Sequence, residues 1–151
     1  MTDFKLTYAT MFNPPEELHT RYDEALTKVQ DNLGQEYGML IDGKEHFAKN
    51  KFKSKNPANN DEVLGVFQTG AAGDAQAAIS AAKTAFPVWS RTPYTKRIEL
   101  LRKAANLIDE RIFEIAAAIS LEVGKNRLEA LGDIAETADM IRYSCYQMEK
   151  N

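Results

Sequence analysis

The sequence predicts a mainly α fold carrying a small β-hairpin or sheet element. Three observations lead there. Apolar residues recur at steps of three and four from Asp74 onward. Short apolar runs separated by turn residues fill the stretch from Tyr37 to Thr69. Pro, Gly and small polar residues fall where helices start and stop. The expected organisation is a helical arm over 1–36, short strands and turns over 37–73, and a helical segment over 74–151.

In the arm, Pro14-Pro15 opens a helix with Asn13 as its expected N-cap. Leu18, Tyr22, Ala25, Leu26, Val29 and Leu33 repeat at helical spacing, and Gly34 is the expected stop. Met39-Leu40-Ile41 and His46-Phe47 flank Asp42-Gly43, a hairpin turn signal because Gly accepts positive φ. Asn56-Pro57-Ala58-Asn59-Asn60-Asp61 is a second turn, and Val63 to Phe67 reads as another strand.

Asp74 is the expected cap of a helix with Ala78, Ile79, Ala82 and Phe86 on one face, and Pro87 is expected to end or kink it. Thr92-Pro93 opens the next helix, with Ile98, Leu101, Ala105 and Ile108 along its stripe. Ile112, Ile115, Ala116 and Ile119 mark a third, stopped at Gly124. Asn126 with Glu129 forms a capping-box pattern. Behind it Leu128, Leu131, Ala135, Ala138, Ile141, Cys145 and Met148 make a core face.

Composition excludes several function classes. With 151 residues, 44% hydrophobic and 27% charged, the chain has an ordinary globular composition. A net charge of −3 leaves no basic footprint for nucleic acid. No apolar run reaches the roughly 18 residues of a membrane span, and neither a signal core nor a transit-peptide pattern stands at the N-terminus. A single cysteine cannot form an internal disulfide, which fits a reducing, cytoplasmic setting. One cysteine and two histidines make a structural zinc site a poor fit.

The last helix carries a second stripe, Glu129, Asp133, Glu136 and Asp139, continuing to Tyr143 and Tyr146. Its plain reading is a solvated face. Its sharper reading is an acidic wall facing a cationic ligand or a metal, the metal version lacking His or Cys at ligand spacing. Cys145 sits on the apolar stripe, where a free cysteine behaves as a small hydrophobe. Gly70-Ala71-Ala72-Gly73 lacks both the dinucleotide and the P-loop spacing, so a turn into a helix explains it. His19 and His46 read as surface residues, and Phe86, Trp89 and Tyr94 as packing at a helix–helix corner.

Glu122-Val123-Gly124-Lys125-Asn126, followed by Glu129, Asp133, Ala135-Glu136 and Tyr143, resembles the aldehyde dehydrogenase superfamily, and within it the Δ1-pyrroline-5-carboxylate dehydrogenase branch. Upstream, Leu40-Ile41-Asp42-Gly43, Asn56-Pro57-Ala58 and Val63-Leu64-Gly65 resemble the family's early strands. Ala78, Ala81-Ala82, Ala85-Phe86, Trp89, Pro93, Arg97 and Leu100-Leu101 resemble its first helices, and the arm from Tyr8 to Tyr37 is similar to the branch's extension.

The resemblance implies NAD-dependent oxidation of L-glutamate γ-semialdehyde to glutamate in proline catabolism. A thiolate attacks the aldehyde, hydride passes to NAD, and water hydrolyses the thioester. It also implies that the cysteine nucleophile, the oxyanion donors, the base and the nucleotide-binding sheet follow Asn151. No catalytic, cofactor-binding or metal-binding residue is therefore expected within 1–151. The chain alone is expected to be inactive and not to bind NAD. One residue carries over: Glu136 matches a family acid that lines the aldehyde tunnel and meets the substrate's α-ammonium, a binding and orienting role. Apolar helix faces left uncovered predict self-association. The alternative is a non-catalytic helical interaction module derived from the same region.

Overall fold

The computed structural model describes residues 13–151, so the first part of the expected arm, Tyr8 included, lies outside the described residues. The elements are α1 (Glu16–Gln30), β1 (Glu36–Tyr37), β2 (Met39–Ile41), β3 (Lys44–His46), β4 (Lys51–Asn56), β5 (Asn59–Gln68), α2 (Ala72–Arg91), α3 (Tyr94–Glu110), α4 (Ile112–Val123) and α5 (Arg127–Lys150). The fold class matches the expectation, mainly α with small sheets. Two compact units form among the described residues: 13–32 join Tyr94–Asn151 in one, and Leu33–Pro93 make the other.

The helical unit has its core where three helices converge. Leu18, Tyr22 and Ala25 of α1 meet Phe113, Ala116 and Ala117 of α4 and Ala130, Leu131 and Ile134 of α5. The alanines allow close helix approach, and the larger side chains fill the remaining space. Tyr22 keeps its hydroxyl satisfied by donating to Ser120 Oγ at 2.6 Å. α3 packs along α5, burying Ile98, Ala105 and Cys145. Arg102 of α3 grips Glu149 of α5 through two hydrogen bonds of 2.8 and 2.7 Å.

Helix ends follow local chemistry. α1 starts at Glu16 after an extended Pro15 (φ −67°, ψ 153°), not from Asn13. A proline disfavours helical backbone at the residue before it, which moves the start beyond the Pro-Pro pair. Gly124 closes α4 in the left-handed region (φ 74°), its N–H donating to Ser120 O at 3.0 Å. Asn126 caps α5, its Oδ1 accepting from Leu128 N at 3.1 Å and Glu129 N at 3.0 Å. Asn126→Ala is expected to lower stability by about 1 kcal/mol, the usual cost of losing such a cap. A urea titration checks it, and an unchanged midpoint would show that the cap contributes nothing.

The second unit holds a three-stranded sheet ordered β1-β5-β4 and a two-stranded hairpin β2-β3. β1 runs parallel to β5, and β4 runs antiparallel to it. Asp42 and Gly43 both take positive φ (54° and 70°), the pattern of a type I′ hairpin turn, and Ile41 pairs with Lys44 across it. Asn56 pairs with Asn59 around Pro57-Ala58, and its Oδ1 accepts from Ala58 N at 2.9 Å. The β4 strand, Lys-Phe-Lys-Ser-Lys-Asn, has too little apolar character to be read as a strand on its own. Pairing with the ten-residue β5 makes it one.

α2 departs from expectation twice. It begins at Ala72, so Asp74 lies within its first turn, and the Asp74 carboxylate accepts the Ala71 N–H at 2.8 Å. It also continues through Pro87 to Arg91. A proline removes one hydrogen bond, and here the flanking turns keep helical geometry around it. Phe86 and Trp89 are exposed, not packed in a corner.

Three carboxyls are held below the usual carboxylate range: Glu36 by hydrogen bonds from Lys51 and then Gln68, Glu114 by Arg111, and Glu149 by Arg102. A carboxyl lowered in the folded state stabilises it above the ordinary carboxylate pKa, and that stabilisation fades as pH falls through the lowered value. Stability is therefore expected to drop on acidification from the ordinary carboxylate range downward. Arg102→Met should flatten the Glu149 part of that drop. Urea midpoints measured across this pH range test it, and an identical acid limb in the variant would sink the assignment.

Candidate functional site

The acidic stripe of α5 resolves into carboxylates with different surroundings. Asp133 is ion-paired to Lys125 from the turn before the helix, which raises the Lys125 ammonium's pKa. Asp139 lies 3.7 Å from Arg142, one turn along. Arg142 is also hydrogen-bonded to Asp109 and, at 3.0 Å, to Asn106. Glu136 is exposed and makes no ion pair or side-chain hydrogen bond among the described residues.

Glu136 stands at an open groove of about 740 Å³ between α3, α4 and α5. Leu101, Ile119, Ile134, Met140 and Ile141 give the groove its apolar lining. Asp133, Glu136, Thr137 and Ser144 supply its polar groups. The volume falls in the range of small-molecule sites, which are mostly apolar with a few placed polar groups. Residues four apart on α5 share one face, which brings Glu136 beside Met140 and Asp133 beside Thr137. An unpaired carboxylate beside an apolar wall suits a ligand with a cationic head and an uncharged body.

Glu136 is singled out by the family resemblance, and it lines this groove. The wall opposite it is not legible in the sequence. Leu101 and Ile119 read only as stripe residues, and nothing local tells that the two stripes meet at one groove with Thr137 and Ser144.

The remaining candidates fall elsewhere. Cys145 is buried at 1% exposure, with its thiol 3.9 Å from Ile98 O. His46 is exposed at the end of β3. His19, read as an unpartnered surface residue, instead lies 3.0 Å from Arg127 Nη1. The guanidinium only donates, so Nδ1 accepts. Arg127 also pairs with Asp23 at 3.1 Å and lies over the Tyr22 ring at 4.8 Å. Among the described residues, no three His, Cys, Asp or Glu side chains converge as metal ligands, and no helix is long and apolar enough to cross a membrane.

The turn Gly70-Ala71-Ala72-Gly73 does not fit a nucleotide diphosphate. Its Ala71 N–H is taken by Asp74, which sets a negative charge where the anion would sit.

Comparison with known proteins gives a consistent result. Residues 44–151 match the aldehyde dehydrogenase family. The 1-pyrroline-5-carboxylate dehydrogenase of Staphylococcus saprophyticus is 38% identical over 127 residues, covering 84% of this chain and 25% of the relative. The structure of 1-pyrroline-5-carboxylate dehydrogenase from Thermus with bound NAD superposes with a TM-score of 0.87 at 35% identity, covering 97% of this chain and 28% of that one. Proline utilization A (PutA) from Bdellovibrio bacteriovorus superposes with a TM-score of 0.88 at 30% identity, covering 90% of this chain and 14% of that one. The chain thus spans about a quarter of the length of the curated relatives it matches. The helices, the small sheets and the sequence match over 44–151 together place the chain in the aldehyde dehydrogenase family, as an N-terminal portion of that fold.

Proposed function

We propose that the chain is the N-terminal portion of an NAD-dependent dehydrogenase that oxidises L-glutamate γ-semialdehyde, formed from Δ1-pyrroline-5-carboxylate, to glutamate in cytoplasmic proline catabolism. The observation that carries this reading is the run of 1-pyrroline-5-carboxylate dehydrogenases matched over most of the chain. Within it, Glu136 binds the substrate's α-ammonium at the groove and orients the aldehyde without taking part in bond making. NAD supplies hydride acceptance when bound, through residues outside this chain. Alone, residues 1–151 neither bind NAD nor turn over.

A chimera tests the reading. Residues 1–151 replace the matching quarter of the Staphylococcus saprophyticus relative, and NADH formation from Δ1-pyrroline-5-carboxylate is followed. Retained turnover is expected. A soluble, folded chimera that turns over simple aldehydes but not this substrate would refute the substrate assignment. Saturable NAD binding by the 151-residue chain in calorimetry would refute the cofactor half.

The exposed apolar side chains favour one further property. Leu100, Leu101 and Leu107 of α3 and Met140, Tyr143 and Met148 of α5 are each about half exposed. Such faces associate, so the 151-residue chain is expected to self-associate in sedimentation as concentration rises. A monodisperse monomer at high concentration would overturn that. Self-association of the chain together with a folded chimera that has lost turnover on every aldehyde would instead favour the interaction-module reading.

A further inference from the structure

In the second unit, β4 is an edge strand among the described residues, hydrogen-bonded on one side to β5. Its register shows which backbone groups face outward. Thr69 N donates to Asn50 O at 2.8 Å, so this directly opposed pair is a hydrogen-bonded one. Alternation from there makes Phe52–Phe67 and Ser54–Gly65 hydrogen-bonded pairs, and leaves the N–H and C=O of Lys51 and Lys53 pointing away from β5. Val66, opposite Lys53, agrees: its N–H turns to the other side and donates to Gln35 O at 2.8 Å.

The two sheet faces at this edge have opposite chemistry. On one, the rings of Tyr37, Phe67 and Phe52 stack in a row across β1, β5 and β4, with centroids 5.2 and 5.8 Å apart. The row ends at the edge on Phe52, which is 53% exposed. Gly65 leaves room for it, since a Cβ there would lie 2.9 Å from the Phe67 ring. On the other face Lys51 and Lys53 are exposed. Lys51 is bridged to Glu36 at 2.7 Å, and Lys53 has no ion pair among the described residues.

We propose that the β4 edge docks an extended peptide segment in which acidic residues flank an aromatic or aliphatic one. In such an added strand the acidic residues oppose Lys51 and Lys53 on one face, and the apolar residue between them opposes Phe52 and extends the ring row on the other. A second copy of β4 does not fit, because it sets lysine against lysine at the same positions.

The test uses the 151-residue chain and a capped synthetic peptide alternating Glu with Phe and Val. Backbone amide exchange is followed by NMR as peptide is added. Exchange at Lys51 and Lys53 is expected to slow at least tenfold at saturation (~1.4 kcal/mol of added protection), while the Phe52 and Ser54 amides, already bonded to β5, change little. A peptide with Lys in place of Glu is expected not to bind. Lys53→Gln should weaken binding about threefold, the scale of one exposed ion pair. Lys53→Pro, tolerated where an edge N–H faces solvent, should abolish it. Three results overturn the proposal: unchanged exchange at Lys51 and Lys53 with excess peptide, equal binding by a folded Lys53→Pro chain, or protection that rises with chain concentration alone, which would mean a second copy is the occupant.

Discussion

Leu131→Ala is expected to destabilise the chain by about 2–5 kcal/mol, the range for a fully buried leucine truncated in a close-packed core. Leu131 is 1% exposed, at the point where α5 meets α1 and α4. Its neighbours include Ala116, Ala117 and Ala130, whose side chains are too short to move into the space left behind. The cavity therefore stays largely open, which places the cost in the upper half of that range. Leu131→Met, which nearly conserves volume, should cost less than about 1.5 kcal/mol. Leu101→Ala, on the exposed groove wall, should stay within about 0.5 kcal/mol. Urea unfolding of the three variants tests the ordering. A Leu131→Ala loss no larger than that of Leu101→Ala would mean the three-helix core is not where stability resides.

The second large effect concerns function and rests on the proposed substrate. In the chimera described above, Glu136→Gln is expected to lower kcat/KM for L-glutamate γ-semialdehyde by roughly ten- to hundredfold. That corresponds to the ~1.5–3 kcal/mol of a hydrogen bond to a charged group. The loss should appear mainly in KM, because Glu136 contacts the ammonium and not the reacting carbon. An aldehyde of similar length without the amino group should be oxidised equally well by both proteins. Equal losses on both aldehydes would point to a structural role and remove the ammonium contact. The charge on Glu136 is free to act this way because its neighbours take other partners: Asp133 holds Lys125, and Asp139 lies against Arg142.

The parts of the fold readable in the sequence are those decided within a few residues. Asp42-Gly43 specifies its hairpin because both positions require positive φ. Gly124 ends α4 because only glycine enters the left-handed region without a Cβ clash. Asn126 caps α5 because its side chain reaches two amides that the helix leaves unpaired. The apolar stripes of α1, α3, α4 and α5 are legible in part for the same reason, since helical spacing is local, but Leu101 and Met148 of those stripes are about half exposed, while Ala130 and Ile134, outside the expected face of α5, are buried.

The misreadings share an origin. Asn13 and Asp74 are both good capping residues, but the preference of the backbone around Pro14-Pro15 and of the Gly-Ala-Ala-Gly turn moved the helix starts away from them. Pro87 neither ends nor interrupts its twenty-residue helix, where it sits at an exposed position. His19 found Arg127 across a sequence separation no local pattern spans.

The sequence by itself determined the helical segments, the Asn126 cap, the Gly124 stop and the Asp42-Gly43 hairpin turn, because each depends on neighbours along the chain. Tertiary structure alone decided that β4 is a strand, that β1 pairs in parallel with the distant β5, and that stripes from α3, α4 and α5 close on a groove beside Glu136. Those features are made of contacts between segments far apart in sequence, and such contacts exist only after the chain has met the entropic cost of closing the loops between them.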